Sequence, residues 1–337
     1  MSKVGIKDIA ARAGVSIATV SHALRKPGRV SEATRKKVLA AADEIGYMRN
    51  NLAASLRTSR SGNIVVIIPD VADNHVYGII KAIEKVAHRR GYSVLLGDTQ
   101  GSAEREREFA AMTRSRQADG IILMSHRLPF DVTKNDLSPD KLPPLVNVCE
   151  FTGYDIFPTV AIDDLQAGID ATRHLVELGH SEIAVITGDM ETTSSQKRLQ
   201  GFKTAMADAG LQYNERLIVR GKYSARCGET ATGTLLMQKE RPTAIFCFSD
   251  EIAMGCMYAL RQHNFEIPND ISVIGVDNIP FARYLAPSLT TVGQPTADIG
   301  TTCATILLDL IDGKPPEMLH HVLQHELLVR QSTRRLQ

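Results

Sequence analysis

After Gly62 the chain repeats one pattern: an apolar run of strand length, then a polar-faced interval of helix length, several times over. "IVVIIPD", "SVLLGD", "GIILM" and "PLVNV" form a first series, with "YGIIKAIEKVAHRRG" and "EREREFAAMTRSRQA" as amphipathic intervals. A second series follows as "TVAID", "EIAVITGD", "RLIVRG", "TAIFCFSD" and "SVIGVDN". Strands that are apolar on both faces need cover on both faces, so the alternation predicts α/β architecture with parallel sheets between helices. Two series predict two doubly wound lobes. Ligands of such folds bind outside the carboxyl ends of the strands, where this chain places Asp70, Asp163, Asp250 and Asp277. Asp163 and Asp250 have a second reading, as caps of the helices that follow them.

The residues ahead of this body differ in charge. Residues 1–60 hold twelve Lys and Arg against four Asp and Glu, a net of +8, which leaves −7 on the remainder of a chain whose total is +1. A small basic head on a large acidic body points to nucleic acid as a partner of the head. At 337 residues the chain suits two or three compact units. The five cysteines (Cys149, Cys227, Cys247, Cys256, Cys303) are scattered and form no C-x-x-C pair, so buried reduced thiols are expected. No apolar run approaches the roughly 18 residues of a membrane span, and the N-terminus lacks the apolar stretch of a signal peptide. A cytoplasmic location without membrane contact is the expectation.

Within the head, Ile6, Ile9, Ala10 and Ala13 stripe one face of a short helix that Gly14 can end. Ser16 is an N-cap for a second helix running to about Leu24, and Ser31 caps a third, with Ala33, Val38, Ala41, Ala42 and Ile45 at helical spacing up to Gly46. Two short helices around a tight turn form a helix-turn-helix. Its second helix should leave Ile17, Ala18, Ser21 and His22 exposed at the end that reaches base edges in the major groove. Ser16, Thr19, Lys7, Arg29 and Arg35 are placed to reach phosphates, which fixes register without reading sequence.

The wording "IKDIAARAGVSIATVSHAL" followed by "VSEATRKKVLAAADEIGY" resembles the DNA-binding head of the lactose/galactose repressor family, and the likeness runs through nearly the whole chain. It implies a helix-turn-helix domain over 1–49, a hinge over 50–61 and an effector-binding and dimerisation domain over 62–337. The lobes of that domain would comprise about 62–162 with 293–320, and 163–292 with 321–337. In this family the hinge becomes a helix on specific DNA, and Leu56 in "AASLR" matches the residue that pries open a central minor-groove step. Two departures stand out. His22 replaces the usual Arg, which removes the guanidinium fork that reads guanine O6 and N7, and Ala54 replaces a common Arg of the hinge.

The body resembles periplasmic sugar-binding proteins as well as the repressors, through "RPTAIFCFSDEIAMG" and "DISVIGVDNIPFARYLAPSLTTVGQP". That likeness implies a clamshell closing on a small molecule. Carried over residue by residue, Tyr77 in "NHVYGII" would form an aromatic wall, Arg198 in "SSQKRLQGF" and Asp277 in "VIGVDN" would grip hydroxyls, and Tyr223 in "GKYS" would cover a ring. Asp163 and Asp250 would shape the cleft, with Arg127 and Glu150 at the ends of their own strands. Val76 and Thr192 stand where relatives often carry stacking or pairing side chains. "VIIPDVAD", "RLPFD" and "CEFTGYDIFPTVAIDDLQA" look most like the cytidine repressor branch, which controls nucleoside uptake and breakdown, whereas "DMETTSSQK" departs from it.

The resemblance therefore implies a ligand-responsive repressor that binds a palindromic operator in double-stranded DNA as a homodimer. Its effector would be a nucleoside, with a purine or a sugar as the alternative. Members of that branch work beside the cyclic-AMP receptor protein. No metal and no cofactor are implied. The chain has no G-x-S-x-G, P-loop, H-E-x-x-H or dinucleotide fingerprint, which argues against an enzyme. A periplasmic binding protein without a DNA role would leave the basic head unexplained, and a purely architectural DNA protein would have no use for the clamshell.

Overall fold

The computed structural model of the chain describes residues 5–25, 27–47, 60–130 and 142–336. They divide into two compact units, Met1–Arg60 and Ser61–Gln337. Leu56 and Ala54 of the expected hinge lie outside the described residues.

The first unit is a three-helix head of α1 (Ile6–Ala13), α2 (Ile17–Arg25) and α3 (Glu32–Glu44). Gly14 ends α1 at φ 61°, a left-handed conformation natural to glycine, and lets the chain turn at once into α2. The Ser16 hydroxyl accepts from the Thr19 N–H at 3.0 Å, and Ser31 does the same for Thr34 at 3.3 Å, so both caps form. Ile9, Ala10 and Ala13 of α1, Val20 and Ala23 of α2, and Val38, Ala41 and Ala42 of α3 share one core. Ala33 is exposed and takes no part in it.

The second unit contains two six-stranded sheets. In chain order it runs β1 (Asn63–Ile68), α4 (Asn74–Arg89), β2 (Ser93–Asp98), α5 (Ala103–Arg114), β3 (Ile121–Leu123), β4 (Leu145–Val148) and β5 (Thr159–Ile162). The second series is α6 (Asp164–Glu177), β6 (Ile183–Ile186), α7 (Thr193–Asp208), β7 (Ile218–Val219), α8 (Ala225–Leu236), β8 (Ala244–Cys247), α9 (Asp250–Gln262), β9 (Ser272–Asp277) and β10 (Thr290–Gly293). The chain ends with α10 (Thr296–Ile311), β11 (His320–Leu323) and β12 (Glu326–Leu328).

The first sheet has the order β11-β5-β4-β3-β1-β2 and is parallel throughout. The second, β12-β10-β9-β8-β6-β7, is parallel except for β12, which pairs antiparallel with β10. Central strands such as β8, β9 and β4 are buried along their whole length, as a doubly covered parallel sheet requires.

Three crossovers join the lobes: after β5, after β10 and after β11. The third comes later than the sequence boundary at 320, because His321, Val322 and Leu323 pair with Val160, Ala161 and Ile162 of the first sheet. Gly293 likewise stays in the second sheet, paired with Asp277. Among the described residues no helix is long and apolar enough to cross a membrane.

Candidate functional site

The recognition surface of the head is built by what its core leaves out. With Val20 and Ala23 turned inward, α2 presents Ile17, half exposed, beside an exposed Ala18, while Ser21 and His22 are half-buried one turn further on. Lys7 and Arg29 are exposed; Arg35 is half-buried, with its Nε buried and unbonded. Thr19 is half-buried, its hydroxyl 2.8 Å from that of Ser16. These groups make an apolar and hydroxyl surface at the start of α2, with cations around it.

In the second unit a cleft of about 680 Å³ opens between the carboxyl ends of the two sheets. Its best-anchored cation is Arg198. Gly168 of α6 packs against the Arg198 backbone, and Gly201 of α7 against the Leu165 carbonyl, so a side chain at either glycine would force the helices apart. This close approach sets Arg198 beside Asp164: Nε and Nη2 each lie 2.8 Å from Oδ1, and Nη1 donates to the Phe248 carbonyl. Although burial opposes the charge, Asp164 holds the guanidinium firmly protonated.

Asp277 closes β9 at φ 119°, with Gln294 Nε2 donating to its Oδ1 at 2.8 Å. Burial pushes its carboxyl above the usual range, and His75 and Arg198 oppose that rise. His75, near the start of α4, faces it across the cleft: Nδ1 is 3.7 Å from Asp277 Oδ1, and Nε2 is 3.8 Å from Cys149 Sγ. The Nδ1 atom is buried without a hydrogen bond.

Glu150 and Asn74 also bridge the lobes. Glu150 accepts from the Thr193 and Ser194 N–H groups at 2.9 and 3.3 Å and from the Ser194 hydroxyl, thereby capping α7 from the opposite lobe. Burial raises its carboxyl to about 7. Asn74 donates to Glu251 Oε1 through its side chain at 2.7 Å and its backbone at 3.2 Å. Arg127 lines the first lobe's wall, held by Glu106 at 3.1 Å and the Gly101 carbonyl at 2.8 Å. Tyr223 lines the second, its hydroxyl 2.7 Å from Ser195 Oγ and 3.1 Å from Ser194 Oγ.

Five of the eight expected effector residues thus line the cleft: Arg127, Glu150, Arg198, Tyr223 and Asp277. Three do not. Tyr77 is exposed in an adjoining groove with Lys81 that shares His75 and Asp277 with the cleft, because a helix turns about 200° over two residues and carries Tyr77 off the cleft wall. Asp163 is exposed and caps α6, accepting from Gln166 N–H at 3.0 Å. Asp250 is wholly buried, accepting from Thr291 Oγ1 at 2.6 Å and Ile279 N–H at 2.9 Å, and so ties α9 to β10. Sequence reasoning missed Asp164, His75, Ser194 and Gln294. The adjacent pair Asp163 and Asp164 was the one legible hint.

Polar contacts between the lobes, an anchored guanidinium and a buried carboxylate suit binding of a polar small molecule. A two-lobed small-molecule receptor carried on the same chain as a helix-turn-helix head is the architecture of a ligand-controlled transcription regulator. Residues 5–50 match the bacterial regulatory proteins of the lacI family, and residues 172–333 match a periplasmic binding protein-like domain.

The HTH-type transcriptional repressor CytR of Escherichia coli (strain K12) is 38% identical over 331 residues, covering 98% of this chain and 96% of that protein. The repressor PurR of Vibrio campbellii is 33% identical, covering 98% and 99%. The crystal structure of the Lac repressor dimer bound to operator and the anti-inducer ONPF superimposes with a TM-score of 0.82 at 26% identity, covering 99% of this chain and all of that one. The chain belongs to the lacI family and is a ligand-responsive, DNA-binding transcriptional repressor rather than an enzyme. Repressors of this family bind DNA operators and small-molecule effectors and act as dimers.

Proposed function

We propose that this repressor works in the cytoplasm, reads a palindromic operator through Ile17, Ala18, Ser21 and His22, and is released by a nucleoside in the cleft. The observation that carries the effector reading is that Arg198 and Asp277 line the same cleft. Both are buried in the cleft wall and held by other protein groups, so a fixed donor and a fixed acceptor meet the vicinal hydroxyls of a ribose. Tyr223 supplies an aromatic face for the base, with Arg127 and Glu150 completing the lining. Lys7, Ser16, Thr19, Arg29 and Arg35 serve the DNA phosphates. Leu56 remains the candidate minor-groove wedge on the resemblance alone, and so does contact with a cyclic-AMP receptor protein.

A free pentose is a second reading. It is favoured by Val76, whose buried small side chain leaves the first lobe's wall without a stacking ring at that position.

The test is a thermal titration with cytidine, adenosine, uridine and ribose, since a ligand selective for the folded state raises the melting temperature. Stabilisation by one nucleoside above ribose supports the reading. Stabilisation by ribose alone supports the pentose, and silence from all four removes the nucleoside assignment.

A further inference from the structure

We infer that the cleft excludes phosphorylated ligands, so that the effector is a neutral or cationic molecule and its phosphate ester is rejected. The inference rests on the cleft being the effector site, and it adds a charge class to that reading.

Helix N-termini are the ready anion sites of α/β proteins, and here the ones at the cleft are already taken by the protein's own side chains. Glu150 fills the N-terminus of α7 from across the cleft, on the Thr193 and Ser194 N–H groups. At α4, Asp73 Oδ1 accepts from the His75 N–H at 2.8 Å, and Glu251 accepts from the Asn74 N–H. Ser224 caps α8 and Ser249 caps α9, the latter with Glu251 adding negative charge in the first turn.

The arginines are committed as well: Arg198 to Asp164 and Arg127 to Glu106. Beyond those pairs, Lys222 is the remaining Lys or Arg of the lining, which also includes Asp70, Asp73, Glu150, Asp189, Glu191, Glu251 and Asp277. The protein already pushes protons onto this wall. Asp73 and Glu150 both hold them above the usual range, through burial first, with His75 and the Ser194 hydrogen bonds pulling the other way and a neighbouring carboxylate adding to the rise. A phosphate would add up to two charges to that field, and the guanidinium that could receive it is already neutralised by Asp164, whereas hydroxyl, amino and ring N–H groups find acceptors in plenty.

The experiment has two arms. Isothermal calorimetry on the full chain compares cytidine with cytidine 5′-monophosphate, adenosine with its 5′-monophosphate and ribose with ribose 5-phosphate. The expected result is at least roughly tenfold weaker binding of each ester than of its parent, the size of a like-charge penalty in a half-buried site. Equal or tighter binding of any ester overturns the inference.

The second arm needs no knowledge of the effector. Inorganic phosphate at constant ionic strength should leave the melting temperature of the native chain unchanged, and should raise that of the double variant Glu150→Ala, Glu251→Ala, which frees the Thr193, Ser194 and Asn74 N–H groups. Where the double variant does not fold, Glu251→Ala alone carries this arm. Stabilisation of the native chain by phosphate, abolished by Arg198→Gln, overturns the inference. If no parent compound binds, the nucleoside reading falls while the phosphate arm still decides whether the cleft rejects anions.

Discussion

The Arg198 and Asp164 side chains are 5% and 7% exposed, so they form an ion pair taken out of water. Deleting one partner strands the other. Asp164→Ala is therefore expected to cost about 3–5 kcal/mol, read from urea unfolding, and to remove any effector response with it. A loss below about 1 kcal/mol would mean that Arg198 finds another partner or is hydrated in the cleft. Glu150 makes the opposite kind of prediction. Unfolded, its carboxyl releases a proton near 4.5, whereas the folded chain holds it to about 7. Between these values the folded state binds more protons, so stability falls as pH rises through the window, by on the order of 3 kcal/mol in all. Urea midpoints across that range should slope downward in the native chain, and Glu150→Gln should flatten the slope. At this scale the sequence was half legible. Arg198 and Asp277 were found by wording around strand ends, but Asp163 and Asp164 are indistinguishable until the helix start decides which carboxylate caps and which turns inward.

Elements were more legible than residues, because their limits are set by local chemistry. Gly14, Ser16 and Ser31 mark where α1 ends and where α2 and α3 begin, and each does so through a conformation or a hydrogen bond belonging to its own segment. At Gly14 an added Cβ would meet only Lys37 Nζ at 3.8 Å, so Gly14→Ala is opposed by backbone strain alone. A loss of about 1–2 kcal/mol in head stability is expected from thermal unfolding. Tyr77 shows where element reading fails: α4 was correctly expected as a helix, but which of its faces meets the second lobe depends on how the lobes pack. On α2, His22 is half-buried beside Ser21 and lacks a fork for guanine. His22→Arg should restore guanine preference at the base step it meets, worth about 1–3 kcal/mol of discrimination in operator selection. An unchanged base preference would remove position 22 from direct readout.

For the whole molecule, the two alternating series announced two lobes, while the crossover after Leu323 was out of reach of the sequence because it depends on the pairing of β11 with β5. Surface apolarity could not be read from the sequence either. Phe281 and Tyr284 are 51% and 75% exposed, with Tyr258 beside them in exposure at 48%, all on the second lobe. Large rings left in water suit a self-association surface, in line with the dimers of the family. A palindromic operator gives such a dimer two half-sites, so losing the dimer halves the contacts of each binding event. Tyr284→Asp should therefore shift the chain toward monomer in sedimentation velocity and weaken operator binding by orders of magnitude, since effective concentration at the second half-site is lost. The cleft lies in each chain by itself, so the thermal shift produced by the effector should survive. A variant that stays dimeric would take Tyr284 out of the interface, and one that loses dimer and effector shift together would have failed to fold.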